Sequence, residues 1–324
     1  MCTAVVFQTK DHYFGRTFDW DISYGEKIVL TPRKFPLHFR KMPSFEAHYG
    51  ILGMAVMAEG TPLYFDAINE KGIGMAGLNF PGNTVYREYE EGKDNLASFE
   101  FLPWILAQCA TMEEVKRLLE RVNLLSISFS PGLPTSPLHW IITDGSTSVT
   151  VECVKEGLKV YDNPVGVLTN NPPFPMQLFY LSQFQQLSKK APVNRFADGL
   201  VLATCSRGMG ALGLPGDLSS ASRFVRAAFV CRNSLAGHGE EESISQFFHI
   251  LGAVEQQRGC VELAEDVYEI SIYTSCCNLD RGLYYYKTYD GHTISCVDMH
   301  REDLDAAECK CFELQREPVI RRQN

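Results

Sequence analysis

The second residue of the chain is a cysteine, Cys2. Removal of Met1 would give Cys2 a free α-amine, a group whose ordinary pKa is about 7.7–8.0. Such an amine can take the thiol proton, so that one residue supplies both nucleophile and base. The chemistry this points to is attack on a carbonyl and hydrolysis of an amide bond. It needs no catalytic histidine, and the sequence carries no Cys/His motif. A Met-Cys start also suits a buried strand cysteine, and position 2 alone does not separate the two readings.

The neighbouring residues add to the chemical reading. Thr3–Gln8 and His12–Arg16 read as a hairpin turning at Lys10-Asp11, followed by Thr17-Phe18-Asp19. A hairpin brings Arg16 back beside Cys2. A guanidinium next to a thiol favours the thiolate. Asp19 is placed to accept a hydrogen bond from the α-amine. The alternative is a solvated Arg/Asp pair on the surface.

The elements that must position these groups come in blocks. Strands are expected at Lys27–Thr31, Tyr49–Met57, Pro62–Phe65 and the glycine-rich Gly72–Asn79. Helices are expected at Ser98–Ala110 and after Thr111, a threonine cap followed by Glu113 and Glu114. Strands return at His139–Thr143, Ser148–Val154 and Val167–Thr169, then helices at Met176–Leu187, Ser222–Cys231 and Ser243–Gln256. The last strands fall near Glu269–Thr274, Gly282–Tyr286 and Thr293–Val297. Blocks of strands and helices without strict alternation give an α+β class with antiparallel sheets.

Composition excludes several classes. Thirty basic against 39 acidic residues give a net charge of −9, with no basic stripe, so no nucleic-acid partner is expected. No stretch reaches the roughly 20 apolar residues that span a bilayer. The start lacks the features of a signal peptide, so no membrane association and a cytoplasmic location are expected. Eleven cysteines and eight histidines are scattered, without zinc-ligand spacing or HExxH, so no metal and no cofactor are expected.

Taken in order, several blocks resemble the choloylglycine hydrolase family. They are Met1-Cys2-Thr3, Phe14–Asp19, Asn69-Glu70-Lys71-Gly72, Ala76–Pro81, Val167–Pro172, Gly213–Asp217, Ala221–Phe224 and Tyr273–Cys276. The family contains bile salt hydrolases and penicillin V acylases. The resemblance implies an N-terminal nucleophile hydrolase fold: a four-layer αββα sandwich of two antiparallel sheets flanked by helices. It implies a single domain over residues 1–324 with a mature start at Cys2, and a homotetramer. The family's catalytic residues fall on Cys2, Arg16, Asp19, Asn79, Asn170 and Arg223, all matching in type. Asn79 and Asn170 would serve the oxyanion, where losing one donor costs roughly 2.7–4 kcal/mol. Arg223 would support Arg16 and Asn170.

At Asn79 the sequence resembles the bile salt hydrolases, whereas penicillin V acylases commonly carry tyrosine there. The small-molecule substrate implied is therefore a bile salt conjugated to glycine or taurine. Substrate-lining positions fall on Phe18, Ala58, Phe65, Phe129 and Leu133, with Met57 adjacent, all apolar as a sterol requires. Phe129 and Leu133 lie in a Pro/Gly/Ser loop expected to form a binding lip. Ser206-Arg207 resembles a loop version associated with taurine, whose sulfonate an arginine and a serine can satisfy. Penicillin V acylase activity and a silent bile-salt binder are the rival readings.

Overall fold

The chain folds around its own N-terminus. In a computed structural model that describes residues 1–324, β1 (Cys2–Gln8) and β2 (His12–Trp20) pair antiparallel, from Cys2 opposite Phe18 to Gln8 opposite His12. The rest of the chain supplies β3 (Lys27–Thr31), β4 (Ile51–Ala58), β5 (Thr61–Asn69), β6 (Gly74–Asn79), β7 (Asp94–Ala97), α1 (Phe101–Gln108), α2 (Met112–Leu119) and β8 (Val122–Leu125). It continues through β9 (Leu138–Thr143), β10 (Ser148–Val154), β11 (Gly157–Asp162), β12 (Val167–Leu168), α3 (Phe174–Leu181), α4 (Ser220–Asn233) and α5 (Glu240–Gly252). It ends in β13 (Glu262–Ala264), β14 (Val267–Tyr268), β15 (Ile270–Asn278), β16 (Leu283–Thr288), β17 (Ser295–Asp298) and β18 (Lys310–Phe312).

Two antiparallel sheets result. One runs β12-β1-β2-β15-β16-β17 and the other β11-β10-β9-β6-β5-β4-β3-β18. Helices α4 and α5 lie over the first sheet, against β1, β2 and β15, and α1 lies over β4–β6 of the second. This is the expected αββα sandwich. Strand alternation divides the core. Ile68, Ala76 and Ile141 turn toward the inter-sheet core, while their neighbours Ala67, Met75 and Ile142 pack under α1 with Phe101, Trp104 and Ile105.

Both faces of each sheet are covered, so central strands read as continuous apolar runs. Two glycines allow the close approach. A Cβ on Gly15 would lie 2.1 Å from the Ser275 carbonyl oxygen on β15, and one on Gly74 would lie 2.7 Å from the Phe14 ring of the other sheet.

Most expected elements are present with shifted ends. The Gly72–Asn79 strand starts at Gly74, because Gly72 turns the chain at φ +87°. The expected Met176–Leu187 helix begins earlier, at Phe174, and ends at Leu181 before a 3₁₀ turn, Ser182–Phe184. Thr111 caps α2 in a reciprocal capping box with Glu114. The parallel pair β7–β8 and the edge strands β11 and β18 lay outside the expectations.

Candidate active site

Pairing along β1 and β2 decides which groups surround Cys2. Cys2 stands opposite Phe18, so Cys2, Arg16 and Phe18 share one face, while Thr3, Thr17 and Asp19 share the other. The first face meets the second sheet and the other meets α4. Cys2 is buried, and its backbone is held at both ends: the N–H donates to Asn170 Oδ1 at 2.7 Å and the carbonyl accepts from Arg223 Nη1 at 2.7 Å. Met1 is still attached. Its ammonium donates to the Asp19 carbonyl at 2.7 Å and pairs with the buried carboxylate of Glu269.

Arg223 reaches the site from the first turn of α4. Upstream of that turn Asp217 accepts from the Ser219 N–H at 3.0 Å and the Ser222 hydroxyl at 2.6 Å, which hold its carboxyl down at about 2. The Arg223 guanidinium is fully buried and multiply bonded: Nε to the Leu218 carbonyl at 3.0 Å, Nη1 to Thr3 Oγ1 at 2.5 Å and Nη2 to Asn170 Oδ1 at 2.9 Å. Burial pushes its pKa down, opposed by Asp19, whose Oδ2 lies 3.9 Å from Nη1, and by Cys2.

Arg16 lies on the Cys2 face, as the hairpin requires, and Asp19 on the opposite one. Arg16 points into the sheet interface, donating from Nη1 to the Gly77 carbonyl at 2.5 Å and the Phe65 carbonyl at 3.3 Å. Its Nη2 is buried without a partner, a free donor beside the site. Burial alone would lower the Arg16 pKa, but Cys2, Tyr273, Asp66 and Asp19 around it raise it. The Asp19 carboxylate does not hold the nitrogen of Cys2. It accepts from Ser271 Oγ at 2.6 Å and Thr17 Oγ1 at 3.1 Å on the helix-facing side, and burial raises its pKa. Residue 19 lies one register step beyond Phe18, so its backbone pairs with Met1, and with Met1 attached the Cys2 N–H is accepted by Asn170.

The two asparagines are tied together. Asn170 Nδ2 donates to the Asn79 carbonyl at 2.7 Å, and the Asn170 N–H donates to Ser220 Oγ at 2.8 Å. Asn79 ends β6 half-buried, and Asn170 precedes the cis Asn171-Pro172 peptide bond.

An aromatic cluster stands beside Cys2. Phe18 stacks on Tyr273 at 5.3 Å between ring centroids and lies 4.6 Å from Phe65, with Tyr24 at 6.4 Å. Met57 and Ala58 end β4, half-buried, at the hairpin that leads into β5. Phe129 packs on Phe99 and under Arg40, and its N–H closes the loop on the Leu133 carbonyl at 3.1 Å. Arg207 lies in an exposed segment, with Ser206.

Tyr24, Tyr273 and Asp66 were not foreseen. Tyr273 and Tyr284 donate to Asp66 at 2.6 and 2.5 Å, with Ser275 at 3.2 Å, building a buried carboxylate behind Arg16. Tyr273-Thr274-Ser275 was visible as a block, but only the β2–β15 register shows that it faces Phe18.

Comparison with known proteins agrees with this architecture. The sequence profile of the linear amide C-N hydrolases, choloylglycine hydrolase family, matches residues 2–312. The chain is 52% identical to a bile salt hydrolase/transferase of Lactiplantibacillus plantarum, over 98% of each chain. It is 38% identical to a bile salt hydrolase/transferase of Clostridium perfringens, over 100% of each. Its structure matches that of a mutant conjugated bile acid hydrolase from Clostridium perfringens with a TM-score of 0.92 at 37% identity, covering 100% of each chain. The fold extends to penicillin V acylase from Agrobacterium tumefaciens, TM-score 0.78 at 21% identity over 97% of this chain and 92% of that one. With its cysteine at position 2 and its two-sheet sandwich, the chain belongs to the choloylglycine hydrolase family of linear amide C-N hydrolases.

Proposed function

We propose that the chain, once Met1 is removed, is a bile salt hydrolase that cleaves the amide bond of glycine- or taurine-conjugated bile salts. The observation that carries the reading is the buried nitrogen of Cys2, bonded to Asn170 Oδ1, beside the aromatic cluster of Phe18, Phe65 and Tyr24. A nucleophile with its own amine as base sits next to an apolar surface suited to a sterol. The relatives' names add the substrate class.

In the proposed reaction the Cys2 amine takes the thiol proton and Sγ attacks the amide carbon. The oxyanion is met by the Asn79 side-chain amide and the unpartnered Nη2 of Arg16. Asn170 is better suited to holding the amine, because its Oδ1 faces Cys2 and its Nδ2 is committed to Asn79. The amine then gives its proton to the departing nitrogen, the C–N bond breaks, and glycine or taurine leaves. Water attacks the thioester, its proton passing to the amine, and the bile acid and free thiol are released. Arg223 fixes Cys2 and Asn170 together, and Asp19 balances its charge. No cofactor enters.

The rest of the reading is a single domain over residues 1–324, a cytoplasmic location and a homotetramer. The exposed apolar side chains Val193, Phe196, Val201 and Leu202 of the segment carrying Arg207 support subunit contacts there. Phe129, Leu133, Met57 and Ala58 are assigned to the sterol site's rim, and Arg207 with Ser206 to taurine. No helix is long and apolar enough to cross a membrane.

The test is amino acid release from glycocholate and taurocholate beside penicillin V, with intact mass recorded. Hydrolysis of the conjugates by a chain starting at Cys2, lost in Cys2→Ala, is expected. Turnover by chain that retains Met1, or of penicillin V alone, would overturn the proposal. Higher kcat/KM on glycocholate would remove the taurine role of Arg207.

A further inference from the structure

Beneath the two asparagines lies a buried histidine–carboxyl pair that the reaction above does not use. His139, on β9, and Glu152, on β10, are both fully buried, and His139 Nδ1 stands 3.2 Å from Glu152 Oε1. His139 Nε2 stands 2.7 Å from the Thr169 carbonyl. Both ring nitrogens therefore face acceptors. A neutral imidazole carries one N–H and satisfies only one of them. Both contacts are hydrogen bonds at once only where one of the two groups contributes a hydrogen to the Nδ1–Oε1 contact.

The surroundings connect this pair to both asparagines. The His139 ring stacks on Phe80, 4.2 Å between centroids and 5° from parallel, and Phe80 follows Asn79 directly. His139 also pairs with Leu78 across β6 and β9. Its bond to the Thr169 carbonyl fixes the residue before Asn170. Glu152 Oε1 accepts from the Phe174 N–H at 2.9 Å, at the start of α3. From α3 the buried Gln177 donates to the carbonyls of Asn170 at 2.6 Å and Pro172 at 2.8 Å.

We infer that the His139–Glu152 pair is a positioning unit that holds Asn79 and Asn170 in register with each other. Ring stacking orients the end of β6, the bond to Thr169 orients the start of the 170–172 loop, and Glu152 holds the ring between them. The inference rests on Asn79 and Asn170 serving the proposed hydrolysis.

Glu152→Gln in the mature enzyme is the sharpest test, because it removes the carboxyl group that holds the ring with almost no change of shape. Its kcat on glycocholate should fall about 10–100-fold, the scale of a small misplacement of reacting groups, with KM within about twofold. On an Asn79→Ala background the same substitution should cost clearly less than in the wild type, since one of the two groups it positions is gone. His139→Phe keeps the stacked ring, loses both hydrogen bonds and should match Glu152→Gln. A Glu152→Gln enzyme with kcat within about twofold of wild type, or an equal cost in both backgrounds, overturns the inference. If both variants fail to fold by circular dichroism, the pair is a folding element and the inference falls. Absence of glycocholate and taurocholate hydrolysis in the wild type would instead remove the functional reading, and this inference with it.

Discussion

The backbone nitrogen of Cys2 and Oδ1 of Asn170, 168 residues apart in sequence, are joined by a buried 2.7 Å hydrogen bond. The same oxygen accepts from Arg223 Nη2 at 2.9 Å, and the Asn170 amide nitrogen reaches the Asn79 carbonyl. One side chain therefore couples the Cys2 nitrogen, a cation and the other asparagine.

Asn170→Ala should show the weight of that coupling. It leaves the Cys2 amine without its acceptor and loosens Asn79. In the mature enzyme kcat should fall by at least about 100-fold, the scale of losing one preorganised polar contact in an acyl-transfer site. Steady-state hydrolysis of glycocholate, with a thermal melt to verify folding, measures it. A kcat within about fivefold of wild type would remove Asn170 from the machinery.

Arg223→Met tests stability rather than rate. The guanidinium is fully buried and bonded to the carbonyls of Cys2 and Leu218, to Thr3 and to Asn170, with Asp19 at 3.9 Å. Methionine keeps part of the apolar stem but takes the guanidinium away from Asp19 and leaves Asn170 Oδ1 with only one of its two donors. Breaking a buried ionic contact from one side typically costs about 3–5 kcal/mol. Urea unfolding should show a loss on that scale, and a loss below about 1 kcal/mol would contradict the charge-balancing role.

What the sequence made legible follows from what each signal depends on. The β1–β2 hairpin was readable because its turn is local and its strands adjoin in sequence. Arg16 was therefore correctly brought to the side of Cys2. With Met1 attached the Cys2 nitrogen bonds Asn170, a partner from a distant element that a reading of the hairpin alone does not reach. Register decides which face each hairpin side chain takes, and a one-residue step exchanges the faces. The full set of six came from the family resemblance, since Asn79, Asn170 and Arg223 are joined only by contacts between distant elements. Tyr273 is visible only as part of a block, and Asp66 and the His139–Glu152 pair carry no local signal. Each sits in a strand covered on both faces, where a polar residue is defined by its partners across the sheet interface.

Phe65 should control sterol binding more than turnover. It is half-buried, 4.6 Å from Phe18 and 6.1 Å from Tyr24 between centroids, on the strand whose backbone carbonyl holds Arg16. Phe65→Ala keeps that carbonyl and removes apolar surface. Losing roughly 1.5–3 kcal/mol of side-chain burial corresponds to a KM for glycocholate about 10–100-fold higher, with kcat within about threefold. A fall in kcat at unchanged KM would move Phe65 from substrate contact to support of Arg16.

The pH profile tests the identity of the base. Burial pushes the Met1 ammonium below its ordinary 8.0, opposed by Cys2 and Asp19 and aided by Arg223 and Arg16. Removing Met1 moves the terminal amine one residue further into the same surroundings, onto the nitrogen that donates to Asn170, with Arg223 bonded to the carbonyl of the same residue. Burial and the two guanidiniums again disfavour its charged form. A protonated amine cannot take the thiol proton, so the rate falls as pH drops through the amine's pKa and is full above it. In the mature enzyme the acid limb of kcat/KM, which reports the free enzyme, should have its midpoint below about 7.7. Arg223→Lys, where it folds, keeps a cation but loses the fork that grips Cys2 and Asn170 together, and should shift that midpoint. An acid limb centred at or above 8 would mean that the amine is solvated and ordinary, and that another group activates Cys2.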